Sequence, residues 1–138
     1  MSDNKVITEK MGIDQLKQLI TNIDKRNYNM LIIIKFTATW CKPCQNIKQL
    51  CDECFSKLTK NVVIVELDVD DNTDLYMFMK KKRIVSGIPA ILVWKPNISR
   101  EPKLWYIPDD SISGSSIKDI YELFNRCYAT ALTIQKNN

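Results

Sequence analysis

At 138 residues the chain has room for one hydrophobic core and is short for two, so a single domain over residues 1–138 is expected, with its core at about 5–130. Its 45% hydrophobic and 26% charged content excludes a disordered chain, and a net charge of +4 without a basic stripe or a nucleic-acid reader motif speaks against a nucleic-acid partner. Histidine is absent, which removes imidazole metal ligands and histidine-based hydrolysis from the available chemistry.

Taken in chain order, Val6 and Ile7 predict a brief strand. Leu16, Leu19, Ile20 and Ile23 recur at helical spacing with Asp14 in the first turn, which predicts a helix over about 12–25, followed by a turn at Asn27 to Asn29. Leu31 to Ile34 with Phe36 is almost unbroken in hydrophobicity and rich in β-branched residues, the pattern of a central strand covered on both faces. Thr37 to Trp40 leads into Cys41-Lys42-Pro43-Cys44, and Ile47, Leu50, Cys51, Cys54 and Leu58 then keep a helical stripe.

Val62 to Val65, Leu67 and Val69 predict a second buried strand, ending in a loop rich in Asp68, Asp70 and Asp71. Leu75, Tyr76, Phe78 and Met79 suggest a short helix closed by Lys80 to Arg83, whose charge suits a helix C-terminus and a solvated end. Ile84 to Pro89 reads as a loop and Ala90 to Trp94 as a strand. Beyond the proline-containing stretch Lys95 to Lys103, Leu104 to Ile107 is expected to return as an antiparallel edge strand and Asp109 to Ser116 to be a loop. Ile117 to Cys127 builds a last helix toward Ala131, capped at Ser115 or Ser116, and Gln135 to Asn138 is expected to fray.

Two cysteines separated by two residues at the start of a helix can close a disulfide without moving the backbone. The first-turn N–H groups favour an anion there, so Cys41 is expected to attack a substrate disulfide and Cys44 to resolve the mixed disulfide. Lys42 adds a cation, Pro43 lacks an N–H where none is needed, and Trp40 offers an apolar wall. The pair Cys51 and Cys54 raises a four-thiolate zinc site as the rival. Spacing opposes it, because Cys41 and Cys51 are ten residues apart, or ~15 Å along a helix. Cys51 and Cys54 fall on the apolar face with Ile47 and Leu58 and are expected to be buried core thiols, with a regulatory second disulfide or damage-sensing pair as the alternative. Cys127, alone on the last helix, is expected in the core as well, and no metal or other cofactor is expected.

The segment Phe36-Thr37-Ala38-Thr39-Trp40-Cys41-Lys42-Pro43-Cys44 resembles the active-site segment of the thioredoxin family, and Gly87-Ile88-Pro89 resembles that family's second active-site loop. The resemblance implies an α/β thioredoxin-like fold with a central mixed β-sheet flanked by helices. It also implies a cis Pro89 facing the dithiol, and a groove at Trp40, Lys42, Pro43, Gly87, Ile88 and Pro89 in which the Ile88 backbone pairs with an extended peptide.

Several positions depart from the family pattern. Lys42 replaces the usual glycine, and Gln49 stands where a helix-kinking proline is common, so a straighter helix is expected. A buried aspartate and a neighbouring lysine of the family are matched by Lys35 and Glu66, with the signs exchanged. Three arrangements stay open for that pair. Glu66 accepts a proton from Cys44, or Lys35 serves as a cation that favours thiolate, or both lie at the rim as a weak salt bridge.

The implied function is exchange or reduction of disulfides in protein substrates, with a thioredoxin reductase or glutathione as electron source. A binding or chaperone module with little turnover is the alternative, and a glutathione-using, glutaredoxin-like enzyme is weaker. The chain start has no leader pattern and no apolar run approaches a membrane span, so the cytoplasm or another reducing compartment is expected and a membrane is not. A composition rich in Ile, Lys and Asn suggests an AT-rich coding source such as a large DNA virus, a parasite or a reduced bacterium, and packaging in a virion would also suit a viral source.

Overall fold

The computed structural model describes residues 4–24 and 29–136. The turn expected at Asn27 to Asn29 falls largely outside the described residues. In chain order the elements are β1 (Val6–Ile7), α1 (Ile13–Ile23), β2 (Leu31–Thr37), α2 (Lys42–Asn46), α3 (Lys48–Lys57), β3 (Val62–Asp68), α4 (Thr73–Lys81) and β4 (Ala90–Trp94). A short 3-10 turn (Pro102–Leu104), β5 (Asp110–Ser113) and α5 (Ile117–Lys136) complete them.

One five-stranded sheet runs in the order β1-β3-β2-β4-β5. β1 and β2 lie parallel to β3, while β4 is antiparallel to β2 and β5 antiparallel to β4. β2 is thus the central strand, as its hydrophobic run predicts. Strand alternation sends Ile32, Ile34 and Phe36 to one face, where they pack with Leu16, Ile20 and Ile23 of α1 and Leu75 and Met79 of α4. Leu31 and Ile33 point to the other face, against Cys51 and Phe55 of α3 and Leu123 and Phe124 of α5. Two helical layers therefore cover both sides of the sheet.

The antiparallel edge strand is Asp110–Ser113 and not Leu104 to Ile107. Pro102 opens a 3-10 turn there, and the aromatic pair that follows it is used as a plug. Trp94 Nε1–H donates to the Trp105 carbonyl at 3.2 Å, and Phe78 stacks on Trp105 with ring centroids 5.6 Å apart. Arg100 holds this long connection in place, bonding Asp24 Oδ2 at 2.7 Å, the Lys95 carbonyl at 2.9 Å and Asp109 Oδ2 at 3.0 Å. The strand that does form is mostly polar, with Ile112 packed against the second core cluster, a composition suited to a sheet edge.

The helix after the cysteine pair is not the straight one expected. It divides at Ile47, whose φ of −105° and ψ of 0° lie outside helical geometry, so the break occurs without a proline. Ile47 is buried against the second face of the sheet, and its carbonyl accepts the Cys51 N–H at 2.9 Å as α3 begins. α5 continues past Ala131 through Gln135 to Lys136. Its start is capped at Ser116, whose Oγ accepts the Asp119 N–H at 3.2 Å. Among the described residues no helix is long and apolar enough to cross a membrane.

Candidate active site

β2 ends at Thr37, and the short turn behind it delivers Cys41 to the N-cap of α2. Cys41 keeps an extended backbone, φ −87° and ψ 105°, while its carbonyl accepts the Gln45 N–H at 3.1 Å. Pro43 occupies the first turn, where the missing N–H leaves no bond unmade. This geometry brings the Cα atoms of Cys41 and Cys44 to 5.2 Å and joins their sulfurs as a disulfide.

The two sulfurs are not equivalent. The Cys44 N–H donates to Cys41 Sγ at 3.2 Å, and Cys41 retains 5% exposure against 0% for Cys44. Cys41 is thus the more accessible cysteine, by a smaller margin than its place in the sequence suggests. The Ile88 carbonyl oxygen lies 3.9 Å from its sulfur and narrows the approach.

Around the pair, Lys42 and Pro43 are exposed, Gly87 and Ile88 are partly exposed and Pro89 is buried. The Ile88–Pro89 peptide bond is cis, as the resemblance implies. Trp40 is 67% exposed, and its Nε1–H donates to Asp70 Oδ2 at 2.8 Å. Asp70 is in turn placed by its own N–H, which donates to Asp68 Oδ1 at 2.8 Å. The sequence offers Asp70 only as one acid of a loop cluster, and its tie to Trp40 needs the fold to be seen.

Lys35 and Glu66 are direct partners in the parallel register of β2 and β3, so their side chains share a face of the sheet. Lys35 is fully buried at 0% exposure, and its Nζ donates to Glu66 Oε2 at 3.0 Å. Glu66 keeps 13% exposure, and its other oxygen receives Lys48 Nζ at 3.5 Å. Burial pushes the Glu66 carboxyl upward, but the ammonium groups of Lys35 and Lys48 outweigh it and hold the carboxyl below its usual range. The rim arrangement does not describe this pair, because one partner is sealed from water.

The remaining thiols occupy core positions. Burial pushes Cys51 up to about 11, against a lowering influence from the Lys35 ammonium, and pushes Cys127 up to about 12. Cys54 is also raised by burial. Among the described residues no cluster of three or more Cys, Asp or Glu side chains is arranged to hold a metal ion.

The family model described as Thioredoxin matches residues 11–103. Among curated relatives, Thioredoxin 1 of Plasmodium falciparum is 28% identical over 96 residues, covering 70% of this chain and 82% of the relative. Thioredoxin of Pyropia yezoensis is 20% identical over 110 residues, covering 80% of this chain and 99% of the relative. Among solved structures, the reduced thioredoxin pre-protein of Schistosoma mansoni superposes with a TM-score of 0.62 at 24% identity, over 89% of this chain and 98% of that one. With a dithiol motif closed into a disulfide at a helix start and a family match across most of the sheet, this chain belongs to the thioredoxin family and is a thiol–disulfide oxidoreductase whose redox pair is Cys41 and Cys44.

Proposed function

We propose that the Cys41 thiolate attacks a disulfide in an extended segment of a protein client, releasing one client thiolate and forming a mixed disulfide. The Cys44 thiolate then attacks Cys41 Sγ, the second client thiolate leaves, and the Cys41–Cys44 disulfide forms. Two electrons pass from the protein dithiol to the client. A thioredoxin reductase or glutathione returns them, in a reducing compartment such as the cytoplasm, or a virion if the source is viral.

The observation that carries these roles is the Cys44 N–H aimed at Cys41 Sγ, a donor already in place for the sulfur that must bear negative charge. The greater exposure of Cys41 points the same way. Trp40, Lys42, Pro43, Gly87, Ile88 and Pro89 form the client groove in this proposal, with the Ile88 backbone beside the attacking sulfur. Residues 1–138 act together as one domain.

Lys35 is assigned the part of a fixed buried cation that favours thiolate, with Glu66 as its counter-ion. A carboxylate held below its usual range is a weak proton acceptor, which favours this assignment over proton transfer from Cys44 to Glu66.

The test of the cysteine roles is capture of a disulfide-containing client. Cys44→Ser should accumulate a mixed disulfide through Cys41, whereas Cys41→Ser should accumulate none and lose turnover. Capture through Cys44 in the Cys41→Ser variant would overturn the assignment. The equilibrium potential then sets the direction, with about −270 mV favouring reductase duty and values above about −200 mV favouring oxidase or isomerase duty.

A further inference from the structure

Behind the redox loop lies a cleft of about 260 Å³ lined by residues that include Thr37, Ala38, Gln45, Lys48 and Glu66. Its wall is continuous with the reacting segment. The Ala38 carbonyl accepts both the Cys41 N–H at 3.2 Å and the Gln45 Nε2–H at 2.9 Å, and Gln45 directly follows Cys44. Glu66 connects this cleft to the sealed Lys35, because one carboxylate oxygen faces each side.

Lys48 holds the outer oxygen. Its Nζ lies 3.5 Å from Glu66 Oε1 and 3.4 Å from Asp52 Oδ2, so one half-exposed ammonium is divided between two carboxylates. A carboxylate shared between two cations cancels each of them incompletely. The extent to which Glu66 neutralises Lys35 therefore depends on how strongly Lys48 draws it outward.

We infer that Lys48 is a positioning residue of the redox centre: by holding Glu66 Oε1 in the cleft it leaves the buried Lys35 ammonium partly uncancelled, and so biases the Cys41/Cys44 couple toward its reduced form. This rests on the assignment of Lys35 as a cation that favours thiolate. Asp52 opposes the effect by competing for Lys48. An exposed lysine acting directly through solvent would be screened, so the influence passes mainly through Glu66.

The experiment is equilibration of the full chain with defined mixtures of reduced and oxidised glutathione. The dithiol and one glutathione disulfide give the protein disulfide and two glutathione thiols. Lys48→Met should shift this equilibrium about threefold toward the protein disulfide, and Asp52→Asn should shift it the opposite way. Lys48→Arg, which keeps the charge, should stay at the wild-type value. The Lys48→Met shift should disappear in a Glu66→Gln background, because residues acting through one another are not additive.

No shift in Lys48→Met, a shift of equal size with and without Glu66, or shifts of the same sign in Lys48→Met and Asp52→Asn would each overturn the inference. Failure of the parent assignment looks different. If Lys35→Met leaves the wild-type equilibrium unchanged, Lys35 does not act on the couple, whatever Lys48 does.

Discussion

Lys35 and Glu66 face each other across β2 and β3 with 3.0 Å between Nζ and Oε2, the ammonium sealed in the core and the carboxylate open to a cleft. A buried ion pair is stable only while both members are present, since an orphaned charge in the interior must lose its proton or its burial. Parallel register alone places the two side chains together.

Glu66→Gln is accordingly expected to destabilise the fold by about 3 kcal/mol near neutral pH, because it leaves Lys35 without its counter-ion. In the wild type, the folded-state Glu66 carboxyl lies below its usual range, so its contribution is fully present above the unfolded value of about 4.3 and is lost as pH falls through the depressed native value. Thermal midpoints between about pH 6 and 3 should fall less steeply in Glu66→Gln than in the wild type. Parallel curves would exclude Glu66 from the acid-side loss of stability.

Thiol reactivity should separate the five cysteines sharply. A buried thiol raised to about 11, as Cys51 is, carries only about one part in a thousand of thiolate at pH 8. After reduction, brief alkylation of the folded protein with iodoacetamide should label Cys41 first and leave Cys51 and Cys127 for the denatured chain. Peptide mass spectrometry reads the outcome, and early labelling of Cys127 would contradict its core position.

Asp70→Ala should free the Trp40 ring without disturbing the core, because the bond between them lies at the surface. The stability change should stay within about 1 kcal/mol. Client reduction should fall by about two- to fivefold in kcat/KM, since a loosened ring must be ordered again on binding. Lower fluorescence anisotropy of Trp40 in a variant with Trp94 and Trp105 replaced by Phe would report the loosening directly; unchanged anisotropy would remove Asp70 from the positioning of the groove.

The central strand was readable because Leu31 to Ile34 puts apolar side chains on both faces, and the dithiol because two cysteines close to a helix start have few other uses. The edge strand was not. Leu104 to Ile107 carries more strand character than Asp110–Ser113, but Trp105 finds more to bury against Trp94 and Phe78 than a sheet edge could offer. Local pattern records what a segment can form, and the vacancy it fills is decided elsewhere in the chain. The parts played by Lys48 and Asp70 are not legible in the sequence for a related reason. Each is an ordinary surface charge until the fold brings Glu66 or Trp40 within reach.

The guanidinium of Arg100 joins three places that are far apart in sequence: the end of α1 at Asp24, the exit of β4 at Lys95 and the approach to β5 at Asp109. It fastens the excursion from β4 to β5 at both ends, like a drawstring. Opening it would uncover the indole of Trp94 at the end of the sheet remote from the dithiol. Local opening there would expose aromatic surface while Cys41 and Cys44 stay assembled, because Trp94 pairs with Ile32 at the far end of β2 from the redox loop.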